Sequence, residues 1–138
     1  MRILGIDYGD ARIGLALSDE SETLASPLGT YKSQSMRKDI DYIAGLAKEK
    51  GVGRIVVGLP INMDGSMGER ANKTKAFGDT LSRVSGIEVR YKDERLTTVS
   101  AERSLIECSV RREKRKEVID TVSAQIILQS YLDAQKRI

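Results

Sequence analysis

The sequence predicts an α/β fold: one five-stranded mixed sheet, strands 1–3 antiparallel and strands 4 and 5 parallel to strand 1, with helices on both faces. Three observations predict it. Three β-like runs at the start are joined by short connections, as in an antiparallel meander. A helix-spaced segment then separates the third run from a fourth, and a crossover helix makes the strands it joins parallel. The fourth run, RIVVG at 54–58, is continuously apolar, as a strand covered on both faces must be.

In chain order, strand one covers Arg2 to Asp7, with Ile3, Leu4 and Ile6 apolar, and ends on a carboxylate. A tight turn through Gly9 and Asp10 leads to strand two, Arg12 to Ser18. Strand three spans Thr23 to Tyr31, where Pro27 suits an edge position because it cannot donate to a ladder. Met36, Ile40, Ile43 and Ala47 recur at helical spacing over 35–50, and Gly51 supplies the stop. The loop LPINMDGSMG at 59–68 precedes a second helix with Ala71, Thr74, Phe77, Leu81 and Val84 on one face. Ile87, Val89 and Tyr91 alternate with polar residues, giving strand five. A third helix is expected from Thr97 or Thr98, with Ala101, Leu105 and Cys108 inward. The last helix is expected from about Asp120, burying Val122, Ile126, Ile127, Tyr131 and Leu132. No internal repeat or linker interrupts the pattern, so residues 1–138 read as a single domain.

Composition excludes several chemistries. The chain has no His, which removes Ser-His-Asp triads, His-based zinc sites and His general bases together. Its one Cys rules out a disulfide framework, and Cys108 reads as a small core residue. No apolar run is long enough to span a bilayer and the start carries no signal-peptide pattern, so a cytoplasmic location without a membrane partner is the expectation. Net charge is only +3, so contact with nucleic acid must rest on local clustering. With five Tyr, one Phe and no Trp, a surface built on stacked bases is disfavoured.

The acids carry the most information by position. Asp7 ends strand one, Asp93 and Glu94 end strand five, and Asp120 opens the last helix. In an open α/β sheet the crevice beyond the carboxyl ends of the parallel strands is the usual site. Asp7 and Glu94 are therefore expected side by side, with Asp120 closing the group from a packed helix. Three carboxylates without His are hard oxygen ligands suited to Mg²⁺ or Mn²⁺. Two such ions roughly 3.5–4 Å apart support phosphodiester hydrolysis with no side-chain base. Taken singly, the acids have blander readings: Asp120 as an N-cap, Asp93 or Glu94 as surface charge, Asp10 and Asp19 as turn acids. Asp7 is harder to dismiss, because a carboxylate ending an apolar strand needs a partner.

Cations lie near the same edge. Arg111, Arg112, Lys114, Arg115 and Lys116 form a run diluted by Glu113 and Glu117, either a solvated loop or helix end or, beside Asp120, a track for a phosphate backbone. Arg12, Arg70, Lys73 and Arg95 are ordinary surface cations unless that edge binds phosphate. The Gly58-to-Gly68 loop offers backbone N–H groups to a phosphate but lacks the Gly-Lys-Ser/Thr of a P-loop.

Four stretches together, GIDYGDARIGLALSD at 5–19, VVGLPINMDGSMGERA at 56–71, DERLTT at 93–98 and IDTVSAQIILQSYLD at 119–133, resemble the YqgF (RuvX) family, bacterial proteins of the ribonuclease H-like superfamily related to the RuvC resolvase. The resemblance implies a ribonuclease H-like fold and a metal-dependent nuclease whose acids fall on Asp7, Glu94 and Asp120. It implies a role in maturing the 5′ end of the small-subunit (16S) ribosomal RNA precursor, an earlier proposal for the family being resolution of Holliday junctions. One departure stands out. In RuvC the second acid ends strand four, whereas here that strand ends Gly58-Leu59-Pro60 and the acid comes from strand five.

The expected function is thus a Mg²⁺- or Mn²⁺-dependent phosphodiesterase on structured RNA. Asp7, Glu94 and Asp120 are the ligands, with Asp93 supporting them. Arg12, Arg70, Arg95, Arg111, Arg112, Lys114, Arg115 and Lys116 are the phosphate contacts. The rival readings are a resolvase cutting four-way DNA junctions, a non-catalytic RNA-binding or transcription-associated factor, and an actin-like ATPase. The last is opposed by the want of a second lobe.

Overall fold

The computed structural model describes residues 1–94 and 112–135, with the backbone alone over 112–120. The elements are β1 (Arg2–Tyr8), β2 (Arg12–Ser18), β3 (Ala25–Lys32), α1 (Met36–Glu49), β4 (Val52–Leu59), α2 (Glu69–Ser85), β5 (Glu88–Asp93) and α3 (Arg112–Gln135). The strands form one sheet in the order β3-β2-β1-β4-β5. The pairs β1–β2 and β2–β3 are antiparallel, while β1–β4 and β4–β5 are parallel. Pro27 lies on the edge strand β3, where the register with β2 shifts. The expected helix beginning at Thr97 or Thr98, together with Arg95, Cys108 and Arg111, falls outside the described residues.

Successive side chains point to opposite faces of a strand, so β1 serves two cores. Leu4, Ile6 and Tyr8 join Ile13, Leu15, Ile55 and Val57 beneath α1 and α2, whose Ile40, Ile43, Ala47, Phe77 and Leu81 complete that layer. Tyr8 and Phe77 stack there with ring centroids 4.1 Å apart. On the other face Ile3, Ala16 and Val56 meet Ala124, Ile127, Leu128 and Leu132 of α3. Asp7 shares the parity of Ile3 and so points to the α3 side.

Three sequence expectations need correction. Met36 and Val84 are exposed, at 38% and 52%, because they stand in the end turns of α1 and α2. The last helix begins at Arg112, not near Asp120. The intervening REKRKEVI lacks Gly and Pro and is rich in good helix formers, so nothing stops the helix there. Finally, α3 buries Ser123, Ala124, Ile127, Leu128 and Leu132, while Val122, Ile126 and Tyr131 are only half-buried. Two of the buried side chains, Ser123 and Ala124, are small, and at Ala124 the helix backbone comes close to Gly5 of β1.

Polar contacts set the register of α3. The Ala25 N–H donates to Gln129 Oε1 at 2.9 Å, Gln129 Nε2 donates to the Thr23 carbonyl at 3.0 Å, and Gln125 Nε2 donates to the Ala25 carbonyl at 3.1 Å. One end of β3 is thus held by the later turns of α3. At the other end the hydroxyls of Thr30 and Thr121 lie 2.6 Å apart. The helix therefore runs antiparallel to β3 and β1, and its N-terminal half points toward the edge where β1, β4 and β5 end.

Candidate nuclease site

The site is built on β1. Asp7 pairs with Gly14 of β2, and Gly14 pairs with Thr30 of β3. On the other side Ile6 pairs with Val57, so the next step brings Asp7 beside Gly58 of β4. Asp7 is buried, at 9% exposure. A carboxylate held that far from water needs hydrogen bonds or a cation to offset its lost hydration.

Glu94 arrives from the far side of β4. Gly58 pairs with Lys92, and Glu94 follows two residues later with the same parity, on the α3 face. Its carboxylate leans back over Gly58: a Cβ built there would lie 3.1 Å from Glu94 Oε1 and would run into Ile127 Cδ1. The bare glycine therefore leaves room for one carboxylate to reach across β4 toward the other. Asp93 has the opposite parity.

Asp120 is placed by the register of α3. A Cβ built on Gly5 would lie 3.1 Å from the Ala124 carbonyl. Two residues along β1, about 6.6 Å, lead from Gly5 to Asp7. Four residues back along α3, about 6 Å at the helical rise, lead from Ala124 to Asp120. The contact between Thr121 and Thr30, on the same rung as Asp7, agrees with this match. Asp120 is now an internal helical residue rather than an N-cap, so capping does not account for a carboxylate at that position. Among the described side chains no three form a metal-holding group. The side chain of Asp120 lies outside that set.

The cations are distributed around this edge. Arg70, on the first turn of α2, donates to the Tyr8 carbonyl at 2.5 Å and to Asp10 Oδ1 at 2.5 Å. Lys73 Nζ reaches the same carboxylate oxygen at 3.2 Å. Lys73 and then Arg70 hold the Asp10 carboxyl below the usual carboxylate range. Asp10 is a turn acid, as its position suggested, but it also ties the turn after Asp7 to α2. Arg12 opens β2 at the same edge, opposite Lys32. The run 112–117 occupies the first turns of α3, reaching about 13 Å beyond Thr121 at the helical rise.

The loop after β4 is folded on itself. The Asn62 N–H donates to the Ser66 carbonyl at 3.0 Å, the Gly65 N–H to the Asn62 carbonyl at 2.9 Å, and the Ser66 N–H to Asp64 Oδ1 at 2.9 Å. It is a built turn that follows the end of β4, not a P-loop.

Both the sequence and the sheet order of this chain match a known set of proteins. The family model described as RuvX, Holliday junction resolvase, matches residues 1–134. The chain belongs to the RuvX family. A relative from Caldanaerobacter subterraneus subsp. tengcongensis, named "Putative pre-16S rRNA nuclease", is 50% identical over 137 residues, covering 99% of both chains. Relatives of the same name from Clostridioides difficile and Myxococcus xanthus are 48% and 46% identical, covering 96% and 99% of this chain and 94% and 90% of their own. Among solved structures, Thermus thermophilus RuvC in complex with a Holliday junction superposes with a TM-score of 0.62 at 12% identity, covering 99% of this chain and 96% of that one. The fowlpox virus Holliday junction resolvase superposes with a TM-score of 0.58 at 11% identity, covering 97% and 99%. The fold of this RuvX-family chain is thus the ribonuclease H-like fold of those resolvases.

Two contributors escaped the sequence reading. Gly58 closes the apolar run at 54–58, and a glycine there signals close approach of another group. The pairing of Arg70 with the Tyr8 carbonyl had no signal, since the two are 62 residues apart.

Proposed function

We propose that this chain is a divalent-metal-dependent nuclease that hydrolyses phosphodiester bonds in structured RNA, acting in the cytoplasm in 5′-end maturation of pre-16S ribosomal RNA. The observation that carries the reading is that the buried Asp7 and the Glu94 carboxylate flank the bare backbone of Gly58 on the face covered by α3, the helix that carries Asp120. The naming of relatives at about half identity over the full length supports the substrate.

The donor set suits Mg²⁺ or Mn²⁺: carboxylate oxygens, with no His in the chain and a buried Asp7 whose charge a cation would offset. Asp7, Glu94 and Asp120 would hold the metal, which when bound lowers the pKa of the attacking water and stabilises the leaving oxygen. The protein's part is placement. Asp7 is fixed in a central strand, Glu94 is directed across β4 by the glycine beneath it, and α3 is locked to β3 by Gln125, Gln129 and Thr121. Arg12, Arg70, Arg95, Arg111, Arg112, Lys114, Arg115 and Lys116 hold backbone phosphates around that centre, a sequence-independent contribution that weakens with salt.

The test is cleavage of pre-16S ribosomal RNA and of a four-way DNA junction by the wild type and by Asp7→Asn. The variant removes a ligand charge without removing the basic surface, so RNA cleavage is lost while binding is largely kept. Normal cleavage by Asp7→Asn would overturn the proposal. A second reading, a junction resolvase, is favoured by the family model's description and the fold of RuvC. Preferential cleavage of the junction would establish it.

A further inference from the structure

We infer that Gly58 is a positioning residue for Glu94: its missing side chain is what allows an acid from β5 to serve beside Asp7. The inference rests on the metal-site reading above and explains the acid's unusual origin. β4 lies between β1 and β5 in the sheet. A ligand from β5 must therefore cross the α3 face of β4 to reach Asp7, and the residue it crosses is Gly58, next to Asp7 on one side and opposite Lys92 on the other. Where the neighbouring residues of β4 carry Val56, Val57 and Leu59, this one position has no side chain.

The space is spoken for on two sides. A Cβ at 58 would lie 3.1 Å from Glu94 Oε1, 3.1 Å from Ile127 Cγ1, and in collision with Ile127 Cδ1. Ile127 is wholly buried in the core beneath α3 and fills the space behind the carboxylate. Any side chain on β4 here presses Glu94 away from Asp7 and presses Ile127 into the core. Metal ligands depend strongly on the groups that orient them, and loss of such a group weakens metal binding roughly 10- to 100-fold.

The two pressures can be separated, because Ile127→Val deletes the Cδ1 methyl that an added Cβ would meet. Three variants are compared with the wild type: Gly58→Ala, Ile127→Val and the double variant Gly58→Ala/Ile127→Val. Melting temperature and Mn²⁺ affinity, the latter by isothermal titration with the metal alone, are the two readouts. Gly58→Ala lowers both. In the double variant the melting temperature returns to that of Ile127→Val, whereas Mn²⁺ binding stays about tenfold or more weaker. Recovery of both in the double variant would overturn the inference, leaving Gly58 as a packing glycine. So would Gly58→Ala binding Mn²⁺ as the wild type does. Asp7→Asn and Glu94→Gln are measured alongside. If they bind Mn²⁺ normally, the metal-site reading fails. If they lose Mn²⁺ while the double variant keeps it, only the role of Gly58 fails.

Discussion

Replacing Gly5 with alanine tests how closely α3 is seated on β1. The new Cβ would lie 2.7 Å from Leu128 Cβ, 3.1 Å from the Ala124 carbonyl oxygen and 3.3 Å from Leu128 Cδ2. Contacting carbon atoms prefer about 3.5–4.0 Å. Neither Leu128 Cβ nor a backbone oxygen can turn aside by a rotamer change, so the helix itself must lift by about 1 Å. Overpacking of this kind costs about 1–3 kcal/mol. At roughly 3–4 °C per kcal/mol for a chain of this size, the melting temperature falls by about 3–12 °C. The functional effect is of similar size in free energy, because a 100-fold rate loss is about 2.7 kcal/mol. Asp120 lies one turn from Ala124 on the same helix, and a misplacement of about 1 Å costs on the order of 100-fold in rate. The assay is calorimetry together with initial cleavage rates at a temperature where both proteins are fully folded. A Gly5→Ala protein that melts and cleaves like the wild type would refute the argued contact between α3 and β1.

Other outcomes follow from the same geometry. Arg70→Gln removes the fork across the Tyr8 carbonyl and Asp10. Because that side chain is partly exposed, the stability loss is about 1 kcal/mol, and the salt slope of RNA binding falls by about one. Chemical denaturation and binding over a salt series check both, and an unchanged slope leaves Arg70 as a clamp alone. Asp19 accepts from the Ser21 hydroxyl and from the N–H groups of Thr23 and Leu24, which lower its pKa from 3.8 to about 2. A carboxyl depressed in the folded state stabilises above its unfolded pKa and loses that contribution as pH falls through the folded one. Wild-type stability therefore declines between about pH 4 and pH 2, and Asp19→Asn declines less over that window, measured by urea unfolding at each pH.

Much of the sheet was legible because strand signals are local. Alternation in β5 and the continuous run in β4 each reported the burial of that strand, and short connections dictated the meander. The start of α3 was not legible for a physical reason. Asp120 has the chemistry of an N-cap, and the charged run before it resembles a solvated loop as much as a helix that extends beyond the sheet. The buried face of α3 was misread because hydrophobicity marks Val122 and Ile126, whereas the register of the helix turns Ala124 and Leu128 onto Gly5. At the site, Asp7 was visible from its place at the end of an apolar strand. The lean of Glu94 over Gly58 was not, since it depends on a side chain that the glycine lacks. Contacts such as Thr30 with Thr121, 91 residues apart, exist only once both elements are in register.

The central claim is that Asp7, Glu94 and Asp120 converge to hold divalent ions against a nucleic-acid strand. Crystals soaked in Mn²⁺ and measured at the manganese absorption edge test it most directly. Anomalous density is expected between the carboxylates of Asp7, Glu94 and Asp120, above Gly58 and lost in Asp7→Asn. Density elsewhere, with these three side chains turned to separate surfaces, would contradict it.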